Sequence, residues 1–155
     1  MLDNELTLRG AVPADLADIL QLGNDTGLNN WTESDFSSVL ESETGELTLA
    51  LSADALVGVI ASSSVIDEVT LLNVAVRRDH QRRGIARLMI QDMLGRRVAD
   101  GAGRCLLEVR ESNRGARALY QSLGFVVDGK RPDYYPVGEG REDAVLMSLE
   151  MRVTQ

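Results

Sequence analysis

The feature that most restricts how this chain can fold is an apolar run, Leu71-Leu72-Asn73-Val74-Ala75-Val76, that leads into a glycine turn, Gln81-Arg82-Arg83-Gly84-Ile85-Ala86. The run has the apolar, β-branched character of a buried strand. From Ala86 onward, Met89, Ile90, Met93, Leu94 and Val98 recur at steps of three or four, with Arg87, Gln91 and Arg96 on the polar side, so a helix starts at the turn. That helix should stop before Gly101 and Gly103, and Cys105 to Arg110 reads as the next strand. Strand, helix and strand in so few residues predict a parallel pair joined by a right-handed crossover. The junction gathers unpaired N–H groups and the positive end of the helix dipole, which suits phosphate. Taken alone, a glycine turn with two arginines is more commonly a plain helix start.

The remaining elements fall around this unit. Glu5 to Arg9 alternates as a short strand, and Pro13 is placed to open a helix with Leu16, Ile19 and Leu20 on one face, a pattern that breaks over Gly23 to Asn30. Thr32 can cap a second helix carrying Phe36, Val39 and Leu40, and Trp31 before it either staples that helix or walls a ligand. Leu47 to Leu51 and Leu56 to Val65, joined near Ala53-Asp54, predict an antiparallel hairpin ahead of the Leu71 strand. Ser112 or Asn113 caps a helix to Leu123, stopped by Gly124. Phe125 to Val127 and Val145 to Met151 then read as final strands around a polar segment holding Lys130, Arg131, Tyr134, Tyr135 and Pro136. With no linker in this order, residues 1–155 are expected to form a single mixed α/β domain, large enough for its own core.

Charge and rare residues narrow the chemistry. The 16 Lys and Arg against 24 Asp and Glu give a net charge of -8, which disfavours nucleic acid and anionic membranes as partners. The same balance suits a cationic substrate, or serves solubility alone. Met1-Leu2-Asp3-Asn4-Glu5 has no basic segment followed by an apolar one, and no run is long enough to span a bilayer, so a cytoplasmic location is expected. Cys105 is the single cysteine and His80 the single histidine. This excludes an internal disulfide, a cysteine-rich zinc site and a multi-histidine metal centre, and no metal is expected. Catalysis would have to rest on carboxylates, tyrosine or a cofactor.

Two residues stand out. In the Cys105 strand, Leu106, Glu108 and Arg110 share one face and Cys105, Leu107 and Val109 the other. Glu108 in this apolar setting is either paired with an arginine or a general base. Asn113, Arg117 and Tyr120 are spaced to share a helix face, with Ala116, Leu119 and Leu123 turned to the core, which leaves Tyr120 as either a packing residue or a participant near the Glu108 strand.

Gln81-Arg82-Arg83-Gly84-Ile85-Ala86 resembles the Gln/Arg-x-x-Gly-x-Gly/Ala signature of the GCN5-related N-acetyltransferase superfamily. Within it, Asn73-Val74-Ala75-Val76, Leu107 to Asn113, Ala118 to Phe125, Tyr134-Tyr135-Pro136 and Gly140 to Ala144 resemble the ribosomal-protein-alanine N-acetyltransferase branch. The resemblance implies a mostly antiparallel central sheet, flanked by helices, whose parallel strand pair splays around acetyl-CoA. It implies that the backbone of Val74, Ala75 and Val76 pairs with the pantetheine and that the amides of Gln81, Arg82, Arg83, Gly84, Ile85 and Ala86 hold the pyrophosphate, with Asn113 bonding the pantetheine arm. It further implies Glu108 as proton acceptor and Tyr120 as proton donor in direct acetyl transfer to the N-terminal alanine of a ribosomal protein, with Trp31 and Tyr134 receiving the peptide. A lysine or small-molecule amine as acceptor, and a silent acyl-CoA-binding module, are the rival readings. Ala86 replaces a second glycine common among relatives, and Pro132-Asp133 stands where the branch more commonly has Arg-Asn. His80 is assigned a packing role.

Overall fold

A computed structural model describes residues 5–26 and 31–152. Their apolar runs become one seven-stranded sheet of order β1-β2-β3-β4-β5-β7-β6. β1 (Leu6–Gly10), β2 (Gly45–Ser52), β3 (Ala55–Val65) and β4 (Glu68–Val76) form an antiparallel series. The β2–β3 connection is the tight turn at Ala53-Asp54, with φ of 49° and 69°, the left-handed pair that a two-residue hairpin needs. β5 (Arg104–Arg110) runs parallel to β4, because α3 (Ile85–Ala99) carries the chain back before β5 begins. β6 (Val126–Val137) and β7 (Gly140–Glu150) form a long hairpin, with β7 next to β5 and β6 at the edge.

Helices cover both faces. Ile85, Met89, Ile90 and Met93 of α3 bury against Val57, Ile60, Val69, Leu107 and Met147 on one side of the sheet. α1 (Leu16–Thr26) and α2 (Glu33–Glu41) bury Ile19, Leu22, Phe36 and Val39 against Leu47, Leu49 and Val59 on the other. Each fully buried Ile, Leu, Met or Phe contributes about 1.5–3 kcal/mol from area removed from water. Coverage on both faces explains why β2 and β3 read as nearly continuous apolar runs. Thr32 caps α2 as expected: it accepts from the Asp35 N–H at 3.2 Å while Asp35 reaches back to the Thr32 N–H at 2.7 Å.

Four local expectations are corrected. A 3-10 turn at Pro13–Asp15 precedes α1, which then runs through Gly23 to Thr26. Gly23 is buried within the helix and does not end it. The end of the expected break, residues 27–30, lies outside the described residues. On α3, Val98 is exposed, whereas Arg97 is buried and donates to the Ser62 hydroxyl at 3.0 Å. α4 (Arg114–Ser122) buries Tyr120 in the core against Phe125, with ring centroids 5.8 Å apart, and leaves Ala116, Leu119 and Leu123 only partly buried. The polar segment after Val127 is strand: Pro132 and Pro136 are tolerated because β6 is an edge, where a missing N–H costs little.

Candidate active site

β4 and β5 pair only from Glu68–Leu71 against Arg104–Leu107. Beyond Leu71, β4 stays on β3 as far as Val76 and β5 stays on β7 as far as Arg110, so the facing edges part. A bulge sits at the point of departure. The β3 register passes from Ser62↔Leu71 to Ala61↔Asn73, which leaves Leu72 as an extra residue, and such an insertion bends and twists its strand. The opening is a cleft of about 950 Å³, walled by β4, the glycine turn, β5 and α4, with Trp31 and Tyr135 also on its lining.

One end of the cleft is built for an anion. Gly84 has φ of 83° and Arg82 φ of 64°, so the turn reverses twice through left-handed conformations before α3 begins. Among the described residues, the N–H groups from Arg82 to Arg87 meet no backbone acceptor, while the first helical bond at this end runs from the Leu88 N–H to the Gly84 carbonyl at 3.0 Å. Six donors in succession at a helix N-terminus are an arrangement that can cradle an anion such as phosphate. Gln81 holds the loop shut, its side-chain amide donating to the Val76 carbonyl at 2.9 Å. Arg82, Arg87, Arg110 and Arg114 line the cleft beside a single lining carboxylate, Glu108. The local field is therefore positive in a chain whose net charge is -8.

The other end holds titratable groups. Glu108 projects from β5 into the cleft and its Oε1 lies 3.1 Å from Nη2 of Arg131, so the ion pair of the two sequence alternatives is present and the carboxylate is also on the cleft lining, where a base would have to be. Tyr120 reaches the cleft from α4. Its hydroxyl has no hydrogen-bond partner among the described residues. Burial, followed by the proximity of Cys105 and Tyr135, pushes the phenol up to about 12. Tyr135 is raised as well, first by burial and then by the Glu108 charge. These mutual influences bring Tyr120, Tyr135 and Glu108 to one place. Cys105 is fully buried and its thiol is pushed up to about 12 by desolvation, so it is no nucleophile at neutral pH.

A polar brace ties β7 to the end of β5 and the start of α4. Glu142 of β7 accepts from the Ser112 hydroxyl at 3.0 Å, the Ser112 N–H at 3.3 Å and Arg110 at 3.2 Å. The Ser112 hydroxyl is the foremost cause holding its carboxyl below the usual carboxylate range. Arg110 also lies 4.5 Å above the Tyr135 ring. Ser112 precedes Asn113, whose Oδ1 caps α4 by accepting from the Ala116 N–H at 3.1 Å, leaving its amide N–H₂ for a ligand in the cleft.

Of the residues singled out in the sequence, Val74, Ala75, Val76, Gln81, Arg82, Gly84, Ile85, Ala86, Glu108, Asn113, Tyr120 and Trp31 all line the cleft. Arg83 contributes a free N–H to the turn but is not on the lining. Tyr134 is not on the lining either; its neighbour Tyr135 takes that place. The reason is the irregularity between Arg131 and Tyr135, where Asp133 adopts φ of 52° and resets which side chains face inward. Trp31 does both of its suggested jobs, packing on Phe36 at 5.0 Å between centroids, the staple geometry, while walling the cleft. Arg117 donates to the Glu111 carbonyl at 2.9 Å and is not on the cleft lining. His80 is held by Asp79 at 2.7 Å at the cleft edge. The sequence reading passed over Arg87, Arg114 and the bulge residue Leu72. Arg87 could have been found as the next basic residue on the first turn of α3.

The sequence profile described as "Acetyltransferase (GNAT) family" matches residues 16–125. The ribosomal protein bS18-alanine N-acetyltransferase of Salmonella typhimurium is 43% identical over 104 residues, 66% of this chain and 70% of that protein. That of Escherichia coli K12 is 39% identical over 122 residues, 77% of this chain and 80% of that protein. The crystal structure of the Escherichia coli ribosomal-protein-S18-alanine N-acetyltransferase superposes with a TM-score of 0.90 at 31% identity, covering 97% of this chain and 96% of that one.

Proposed function

The chain belongs to the acetyltransferase (GNAT) family, and on that premise we propose that its cleft moves an acetyl group from acetyl-CoA to the α-amino group of a ribosomal protein that begins with alanine. The observation that carries this reading is the parting of β4 from β5, which leaves a free strand edge running from a phosphate cradle to Glu108 and Tyr120. The substrate follows the relatives, which are bS18-alanine N-acetyltransferases, and a ribosomal-protein substrate supports a cytoplasmic location.

The residues present fit acetyl-CoA. Unpartnered amides from Arg82 to Arg87, with Arg82, Arg87 and Arg114 on the cleft wall, suit its phosphates. The strand edge from Val74 to Val76, unpaired with β5 although Gln81 already holds the Val76 carbonyl, suits the amides of its pantetheine arm by strand addition, and the Asn113 amide N–H₂ adds a donor. Bound there, acetyl-CoA supplies an acetyl thioester activated toward an amine. An α-amino group has a pKa of roughly 7.7–8.0, so at neutral pH it must lose a proton to attack. Glu108 takes that proton, and a β4 backbone N–H near Val74 stabilises developing oxyanion charge. Tyr120, whose phenol burial pushes up to about 12, holds its proton through the neutral range and gives it to the departing sulfur. The inert Cys105 thiol favours direct transfer over an acyl-enzyme.

The test is acetylation of a panel of peptides differing in their first residue, read by intact mass, with an N-terminally blocked lysine peptide included. Peptides that begin with alanine should gain one acetyl group at the α-amine. Acetylation confined to the blocked lysine peptide would overturn the N-terminal reading.

A second expectation concerns the cradle. Alanine at Gly84 must adopt φ near 83°, a conformation that costs an L-residue about 1–2 kcal/mol. Gly84→Ala should therefore lower Tm by roughly 2–8 °C and weaken CoA binding, measured by thermal scans and titration calorimetry. Unchanged CoA affinity would argue that the turn does not hold the phosphates.

A further inference from the structure

We propose that Arg131 is the residue by which this site distinguishes a protein α-amine from a lysine ε-amine, an inference that rests on the N-terminal acetyltransferase reading. Arg131 stands on the edge strand β6, with its Nη2 3.1 Å from Oε1 of Glu108. Its guanidinium lies 4.8 Å from the centre of the Tyr134 ring, and Tyr134 meets Tyr135 edge-on at 5.0 Å between centroids. Neither Tyr134 nor Arg131 is on the cleft lining, so Tyr134 acts as the shelf that aims Arg131 from the rim at Glu108 inside the cleft. The backbone is fixed on both sides of this shelf. Arg131 is in register with Ala144, and the N–H of Asp133 donates to the Asp143 carboxylate at 3.0 Å. Apart from Glu108, the guanidinium has no hydrogen-bonding or charged partner among the described residues, so most of its five donors are unspent.

A carboxylate and a guanidinium at this spacing match one substrate group specifically. The amine of an N-terminal residue carries its own carbonyl oxygen about 3 Å from the nitrogen, a separation set by backbone dimensions. With the ammonium on Glu108, that carbonyl comes within reach of the Arg131 donors and completes a charge-assisted hydrogen bond. A lysine ε-amine ends a chain of methylenes and brings no acceptor. Seated at Glu108, it would draw the carboxylate from Arg131 and give the guanidinium nothing in return. The Arg131 side chain is half exposed, so water can take up its unused donors; the pair favours the α-amine through the charge-assisted hydrogen bond that only the α-amine substrate adds.

The test uses the full chain, acetyl-CoA and three peptides. One begins with alanine, one replaces its first peptide bond by an (E)-alkene and so lacks only the carbonyl and its amide, and one is N-terminally blocked and carries a lysine. Arg131→Gln should lower kcat/KM for the alanine peptide about tenfold to a hundredfold, mostly through KM, with no comparable loss on the lysine peptide. The alkene should cost the wild-type enzyme a similar factor and cost Arg131→Gln little more, and Arg131→Lys should recover part of the loss. CoA affinity should not move in either variant. An equal loss on the alanine and lysine peptides, or an alkene penalty undiminished in Arg131→Gln, overturns the assignment of Arg131 while leaving N-terminal acetylation standing. A wild-type enzyme that acetylates no α-amine overturns both.

Discussion

Tyr120→Phe should reduce kcat by roughly 10²- to 10⁴-fold, the range for losing a positioned general acid, while leaving CoA affinity and the fold intact. The separation of effects follows from how the side chain is held. The ring belongs to the main core cluster and packs on Phe125, contacts that phenylalanine keeps. The hydroxyl bonds to no described residue, so its removal leaves no buried partner stranded. A second readout checks the cause. A phenol raised in the fold from 10.0 to about 12 contributes stability that is fully present below the unfolded value and is lost as pH rises through that interval. The phenylalanine variant lacks this ionisation, so its stability should fall less than that of the wild type above pH 10. Steady-state rates at saturating acetyl-CoA, with denaturation scans from pH 7 to 11, measure both effects. A kcat within a factor of two of the wild type would remove Tyr120 from the chemistry, whatever its place in the core.

The parts of the site carried by consecutive residues were legible in the sequence, and those set by pairing between distant strands were not. The turn from Gln81 to Ala86 shows itself because the side-chain period changes there from strand to helix, and α3 and the strands on either side follow where the pattern puts them. Leu72 carries no such mark. It is a bulge only because Ala61 and Ser62 on β3 pair with Asn73 and Leu71, a register that no local pattern encodes. The exchange of Tyr134 for Tyr135 has the same origin: period-two counting along β6 fails across Pro132 and Asp133, where the register with β7 slips. For Tyr120, helical spacing set it apart from Ala116, Leu119 and Leu123, but the helix buries Tyr120 deepest, and that depth depends on Phe125 and the sheet beneath. Glu108 shows how far composition can lead. The two readings of an acidic strand residue, ion pair and base, could not be separated because the residue has both an arginine partner and an open cleft.

Net charge was a poor guide for a related reason. A chain of charge -8 suggests a cationic ligand, yet the cleft presents Arg82, Arg87, Arg110 and Arg114 with one carboxylate among its lining residues. The fold sorts the charges, gathering arginines around the cleft while most carboxylates lie elsewhere on the chain. Screening over about 8 Å at physiological salt lets these fields coexist in one small domain.

Glu108→Gln should depress kcat/KM by about 10²- to 10⁴-fold at pH 6.5, with a deficit that shrinks as pH rises. Glutamine keeps the shape and an acceptor oxygen for Arg131 but cannot accept the proton of an ammonium. Below the substrate pKa of roughly 7.7–8.0 the amine arrives protonated and needs the missing base. Above it, most of the amine arrives neutral and needs the base less, so the variant should recover toward the wild type between pH 8 and 9.5. The sign distinguishes this role from that of a purely structural ion pair. If Glu108 only tethered Arg131, the loss would be carried by stability and by KM and would not follow the ionisation of the substrate amine. Rates for a peptide beginning with alanine, taken across this range alongside Arg131→Gln, settle the matter: a Glu108→Gln deficit that stays constant with pH would leave the carboxylate as an anchor for the edge strand and assign deprotonation to solvent.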